Sequence, residues 1–174
     1  MIINASMFHR LFGEGEADGL ADLDYAGPRD RQTLLALART FHPKVVVEIG
    51  VQRGMTAAML LRECPSIERY IGIDVPPGFV PPLPGQAPEV PAEGAAGELA
   101  KDDPRFELML CEGGSQALKP EDLPTADLVY LDGSHKREDL EADTALARAI
   151  VRPGGLVVGH DYNNRTVEVN EVVD

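Results

Sequence analysis

Short apolar runs alternate with amphipathic stretches along the chain. The first run, Val45–Ile49, is β-branched and ends at a glycine, which is typical of a strand covered on both faces, as in a parallel sheet. Amphipathic spacing predicts a helix before this run and another after it, over 28–42 and 55–63. A further helix is predicted after the fourth strand. The five predicted strands begin near Val45, Tyr70, Phe106, Ala126 and Leu156.

The first strand leads directly into a turn with two glycines. Gly50 and Gly54 follow Val45–Ile49, and helix-forming residues then resume. Glycines let the backbone approach a ligand and leave N–H groups available at a helix N-terminus. Glu48 is costly to bury without a partner, which a ligand amine or hydroxyl would supply. A dinucleotide-binding turn needs G-x-G-x-x-G, and this Glu-x-Gly-x-x-x-Gly turn lacks the middle glycine.

A second acid comes at the end of the second strand. Asp74 lies 24 residues after Gly50. An acid at this place can accept hydrogen bonds from both hydroxyls of a ribose. The spacing therefore predicts Asp74 as a ribose ligand, with a helix-capping or loop aspartate as the alternative.

Residues 76–104 interrupt the pattern, because eight of the chain's 14 prolines fall there. We predict no regular structure in this proline-rich segment beyond a short helix around 93–101. A loop that leaves the carboxyl end of a strand lies beside the ligand crevice of an α/β fold. The segment is therefore predicted as a lid, a substrate-shaping loop, an oligomer contact or a plain surface loop, and the sequence leaves these alternatives open.

Several motifs together resemble one family. The Glu-x-Gly-x-x-x-Gly turn resembles motif I of the class I S-adenosylmethionine-dependent methyltransferases. The runs 127–135, 152–156 and 159–162 (Asp-Leu-Val-Tyr-Leu-Asp-Gly-Ser-His, Arg-Pro-Gly-Gly-Leu and Gly-His-Asp-Tyr) extend the resemblance. They are similar to the group that includes macrocin-type sugar O-methyltransferases and cephalosporin hydroxylase-like proteins. The resemblance covers roughly residues 45–174, without the proline-rich segment.

The resemblance implies a Rossmann-like α/β fold, a mostly parallel sheet in the order 3-2-1-4-5 with helices on both faces. Relatives close this sheet with a sixth and a seventh strand, which the sequence lacks, so we expect an open edge and a homo-oligomer. We expect an N-terminal helical segment over 1–43, with a short helix at 2–12. The cofactor-binding domain is expected over 44–174, ending in a helix after the fifth strand.

S-adenosylmethionine is the cofactor that the resemblance implies. In the family, the first acid and the glycines face the methionine end of the cofactor, and the turn after the third strand lies against the adenine. A helix cap is an equally good interpretation of Ser115. The expected cofactor-binding residues are Glu48, Gly50, Gly54, Thr56, Asp74, Gly113, Ser115 and Asp132.

Acids and histidines follow the fourth and fifth strands, whose ends are expected to be neighbours. In macrocin-type relatives, acids at these places hold a divalent metal, so we expect Asp132, His160 and Asp161 to bind Mg²⁺ or Mn²⁺. His160 stands where those relatives have an acid. We expect His135 as the catalytic base if His160 is a ligand, and His160 as the base if no metal binds. The alternative is that Ser134 and His135 cap the next helix and Asp132 holds the loop together.

Composition limits the partners. A formal charge of -13 with no basic stretch argues against nucleic acid. No signal peptide or membrane-spanning run is recognisable, and the two cysteines have no metal or redox spacing, so a cytoplasmic protein is expected.

The expected reaction is O-methylation of a sugar or another small hydroxylated molecule. The alternatives are a nicotinamide-dependent oxidoreductase, weakened by the missing glycine, and a non-catalytic adaptor on a shortened methyltransferase fold.

Overall fold

A computed structural model describes residues 28–161, 164, 168, 169 and 172. The helix predicted at 2–12 lies outside these residues. Of the helix predicted after the fifth strand, only isolated positions are described, of which 169 and 172 are helical. No helix in the described part is long and apolar enough to cross a membrane. The α-helices are α1 (Pro28–Phe41), α2 (Met55–Glu63) and α3 (Arg137–Ile150), and the strands are β1 (Val45–Ile49), β2 (Arg69–Asp74), β3 (Phe106–Leu110), β4 (Ala126–Leu131) and β5 (Val151–Gly159).

The five strands form one parallel sheet in the order β3-β2-β1-β4-β5. This confirms the predicted α/β fold and strand order. Apolar side chains of α1 and α2 pack with alternate residues of β1, including Val46, in one core cluster. Residues of α3 pack with the opposite alternates, including Val47, in a second cluster. The central strands are therefore buried on both faces, which explains their uninterrupted apolar pattern, whereas the edge strands β3 and β5 are partly exposed.

Strand β5 is irregular at its start. Its register with β4 jumps from the pair Ala126 and Val151 to the pair Leu128 and Leu156. The Pro-Gly-Gly sequence predicted as a turn before the strand is thus a bulge inside it. A side chain on Gly155 would lie 2.8 Å from the Asp127 carbonyl oxygen, so only glycine fits.

The proline-rich segment has a different structure from the predicted one. A 3₁₀ helix spans Pro84–Glu89, whereas 93–101 forms successive turns, so the predicted short helix is wrong. Gly94 and Gly97 have φ values of +74° and +63°, which a right-handed helix does not allow. The Gly97 N–H donates to the Gln52 carbonyl at 2.8 Å. The segment is therefore fastened to the turn that follows β1.

Candidate active site

A cavity of about 350 Å³ lies at the carboxyl ends of the strands, where an α/β sheet binds its ligands. Phe79, Pro81 and Gln86 of the proline-rich segment form part of its wall. The structure brings together most of the predicted site residues, but Gly54 and Gly113 do not line the cavity. The predicted residues that line it are Glu48, Gly50, Thr56, Asp74, Ser115, Asp132, His135, His160 and Asp161.

Glu48 finds its partners inside the protein. Its carboxyl group is only 1% exposed and accepts a 2.8 Å hydrogen bond from the Tyr70 hydroxyl. Burial raises the pKa of Glu48 well above its usual value, although the hydrogen bonds from Tyr70 and Thr56 oppose this shift. The sequence suggested a ligand as the partner of Glu48. Tyr70 on β2 was not predicted, because it is paired with Val46 rather than with Glu48, and only the strand register shows that its hydroxyl reaches the Glu48 carboxyl group.

The two glycines of the first turn have different tasks. Gly50 has φ +91°, and a Cβ there would lie 2.1 Å from the Asp132 carbonyl oxygen, so the turn passes directly against the end of β4. Gly54 has φ +84°, and its Cβ would lie 3.0 Å from Gly97 Cα. Gly50 therefore brings backbone to the cavity, while Gly54 lets the proline-rich segment pack on the turn.

Asp74 fastens the same turn to the end of β2. Its carboxylate accepts the N–H groups of Gln52, at 2.5 Å, and Val75, at 2.7 Å. Burial raises the pKa of Asp74, while these two backbone hydrogen bonds oppose the shift. Each carboxylate oxygen accepts one of the bonds and keeps a lone pair for a further donor. The predicted ribose ligand thus lies on the cavity wall with acceptor capacity remaining.

Ser115 contacts an acid that the sequence analysis did not identify. Its hydroxyl donates to Asp143 Oδ1 at 2.5 Å rather than capping the 3₁₀ helix that it begins. Asp143 is 2% exposed on α3, and burial raises its pKa to about 6, against the opposing hydrogen bond from Ser115. The available signal was an acid within the apolar stripe of this helix, between Leu140 and Ala147.

Two imidazoles and two carboxylates meet where β4 and β5 end. His160 Nδ1 lies 2.9 Å from Asp132 Oδ1 and 3.6 Å from Asp161 Oδ2. His135 Nε2 lies 3.4 Å from Asp161 Oδ2 and 3.7 Å from Asp132 Oδ1. Both ring nitrogens are buried, and within the described residues neither has a well-aligned hydrogen-bond partner. One ligand atom each of Asp132, His135 and His160 lie within 4.8 Å of one another.

Charge interactions shape this four-residue cluster. Burial disfavours the charged form of His160, but Asp132 and Asp161 outweigh it and raise its pKa to about 10. The polar interaction with the His160 ring lowers the pKa of Asp161 to about 2, against the opposing effect of burial. Asp161 has φ +59°, an unusual backbone conformation for a residue other than glycine. In the absence of a further cation, His160 is therefore an imidazolium held between two carboxylates.

Two residues at this cluster come from elements outside the predicted site. Asp30 on α1 places Oδ2 3.7 Å from His160 Nε2. Gln86 of the proline-rich segment is 9% exposed, and its amide nitrogen lies 3.4 Å from His135 Nδ1. The helix-cap alternative for His135 is wrong, because Lys136 is the N-cap residue of α3. The only sequence signal for Gln86 was a polar side chain amid prolines and small residues.

The sequence matches a known protein family. A family model described as a methyltransferase domain matches residues 47–162, which include the first glycine turn and the whole four-residue cluster. Among curated proteins, none matches the sequence.

Solved structures share the fold. The O-methyltransferase TomG from Streptomyces achromogenes, in complex with SAM, is 23% identical with a TM-score of 0.60, covering 97% of this chain and 74% of its own. An O-methyltransferase from Bacillus cereus, in complex with SAH, is 18% identical with a TM-score of 0.57, covering 80% and 60%. The SAH-bound Podospora anserina methyltransferase PaMTH1 is 14% identical with a TM-score of 0.58, covering 78% and 53%. The present chain thus spans between about half and three quarters of the length of these structures.

Proposed function

The chain belongs to the methyltransferase-domain family, and from this premise we propose that it transfers a methyl group from S-adenosylmethionine to an oxygen of a small hydroxylated molecule. The observation that carries the proposal is the juxtaposition of two half-sites in one cavity. The glycine turn and Asp74 form one half, and the four-residue cluster around Asp132 forms the other. The first suits a nucleoside, and the second suits a hydroxyl group that must lose a proton.

The cofactor half of the site follows from the contacts around the first turn. Asp74 would accept the ribose hydroxyls with its remaining lone pairs. The backbone beside Gly50 would lie along the methionine end, with Glu48 and Thr56 beneath it. Ser115, whose hydroxyl is oriented by Asp143, would border the adenine. The solved neighbours that hold SAM or SAH support this choice of cofactor.

The half of the site around Asp132, which would bind the methyl acceptor, has side chains suited to a divalent metal. The buried Nδ1 of His160, which has no well-aligned partner among the described residues, and the carboxylates of Asp132 and Asp161 form a mixed nitrogen and oxygen donor set that suits Mn²⁺ better than Mg²⁺. Asp132, His160 and Asp161 would hold the ion. When bound, it would orient substrate hydroxyls and lower the pKa of the attacking one. A sugar or another polyol, as the family resemblance implies, carries such neighbouring hydroxyls.

The chemical step itself is simple to balance. The substrate oxygen forms a bond to the methyl carbon while the bond from that carbon to sulfur breaks, so the sulfonium becomes a neutral thioether. The hydroxyl proton must pass to a nearby group. The candidates are His135 and His160, each only as a neutral imidazole; the two carboxylates keep His160 protonated until a cation neutralises them. The four-residue cluster would hold the acceptor oxygen beside either ring.

Calorimetric titration of S-adenosylhomocysteine into the whole chain tests the cofactor half. We expect micromolar binding by the wild type. Asp74→Asn should weaken it by at least about tenfold, since one of the two accepting oxygens is replaced by an NH₂ group, which can only donate. Glu112→Gln serves as the control, because that carboxylate follows β3 and does not line the cavity. No binding by the folded chain would overturn the enzyme proposal and favour a non-catalytic adaptor.

A further inference from the structure

Gln86 connects the proline-rich segment to the end of β4. Its amide nitrogen donates to the Gly133 carbonyl at 3.0 Å, and its amide oxygen accepts the His135 backbone N–H at 3.2 Å. These two backbone groups fix the orientation of the amide, because a carbonyl needs a donor and an N–H needs an acceptor. A flipped amide would lose both bonds. The amide nitrogen of Gln86 therefore faces the Gly133 carbonyl, and the amide oxygen faces the His135 backbone N–H.

The same amide nitrogen faces the ring of His135. It lies 3.4 Å from His135 Nδ1 and 3.3 Å from Glu89 Oε2. The amide group can offer only hydrogens in this direction. A hydrogen on Nδ1 would face these amide hydrogens, and two hydrogen-bond donors cannot pair. This holds whether the second amide hydrogen is donated to Glu89 or points to the ring. Nδ1 is therefore the unprotonated nitrogen of the neutral ring.

The other side of the ring leads to the same assignment. His135 Nε2 faces the carboxylate oxygens of Asp161, at 3.4 Å, and Asp132, at 3.7 Å. Carboxylates only accept hydrogen bonds, so they favour a hydrogen on Nε2. Donor groups on one side and acceptors on the other thus select a single tautomer.

We propose that Gln86 is a positioning residue that holds His135 in its Nε2–H tautomer. The inference rests on the proposed function and refines it, since it separates the roles of the two histidines. His135 presents a hydrogen to the cluster, whereas a base or a metal ligand needs a lone pair. His160 is placed for that second role, because a bound cation would displace the hydrogen of Nδ1, which faces Asp132, while the hydrogen on Nε2 stays near Asp30. The proline-rich segment is then part of the active site.

The experiment is ¹⁵N NMR of the histidine rings in the whole chain, without cofactor and above the pKa of the ring. His135→Gln assigns the resonances. In the wild type, we expect Nε2 of His135 to carry the hydrogen. In Gln86→Glu, a carboxylate replaces the amide donor, so Nδ1 should gain a hydrogen, while Asp132 and Asp161 still favour one on Nε2. Gln86→Leu should give a mixture of both tautomers. The His160 ring is the internal control and should keep its protonation state in every variant.

Two results would overturn the proposal. One is a wild-type His135 with its hydrogen on Nδ1, which requires no variant to detect. The other is a His135 Nδ1 that stays without a hydrogen in Gln86→Glu while the amide shifts of Pro84–Glu89 show that the segment remains docked. A purely structural role for Gln86 would loosen the segment without adding a hydrogen to Nδ1. Because no cofactor is present, the outcome is distinguishable from a failure to bind S-adenosylhomocysteine.

Discussion

The Tyr70 hydroxyl donates a 2.8 Å hydrogen bond to Glu48 Oε2, and both side chains are buried, although Glu48 also borders the cavity. Tyr70→Phe removes the donor and leaves a buried carboxyl oxygen underbonded. We expect the free energy of unfolding to fall by about 1–3 kcal/mol, measured by urea denaturation. Tyr130→Phe is the control, because the Tyr130 hydroxyl lies 3.4 Å from its Asp132 acceptor. Equal losses in both variants would contradict the importance of the shorter bond.

Gly50 should tolerate no side chain. Its positive φ is a backbone conformation that alanine adopts only with strain. An added Cβ would also clash with the Asp132 carbonyl oxygen, which would lie 2.1 Å away. We expect Gly50→Ala to cost at least about 2 kcal/mol of unfolding free energy and to abolish S-adenosylhomocysteine binding. Gly85→Ala is the matched control, since nothing lies within 4 Å of a Cβ there. A stable Gly50→Ala protein that still binds the ligand would refute the close approach.

Asp143 should make stability depend on pH. Burial raises its pKa to about 6, whereas an unfolded chain releases the proton near 3.8. The native state therefore binds more protons between these values, and stability is lost as the pH rises from about 4 to 6. The shift corresponds to about 3 kcal/mol. Asp143→Asn should remove this component from urea unfolding curves, while Asp102→Asn, on the surface, should follow the wild type. Parallel curves for wild type and Asp143→Asn would be the contrary result.

Mn²⁺ affinity should distinguish the two histidines. If Asp132, His160 and Asp161 hold the ion, His160→Gln should weaken Mn²⁺ binding by more than about tenfold, as measured by electron paramagnetic resonance. His135→Gln keeps an N–H donor and should leave the affinity within about threefold, because His135 offers no lone pair to the cluster. Equal losses would assign both rings as ligands. Unchanged binding in both variants would place the ion elsewhere.

The sequence alone determined the central sheet and the first half of the site. Short hydrophobic runs predicted five strands, the first of them buried, and the family resemblance implied their order. The position of Asp74 could be predicted from the number of residues between it and Gly50. Asp74 ends β2, and the carboxyl end of β2 lies beside the turn that follows β1. Such local relationships need no knowledge of packing.

Contacts between elements that are distant in sequence could be identified only from the tertiary structure. Gln86 meets His135 across 49 residues, and no periodicity in a proline-rich segment indicates which polar side chain turns inward. Asp30 reaches His160 only because α1 packs beside the sheet. The sequence placed two histidines near one another but treated them as alternatives for one task. Their hydrogen-bond surroundings make them different, since a tautomer depends on what faces each ring nitrogen, and that is decided by packing.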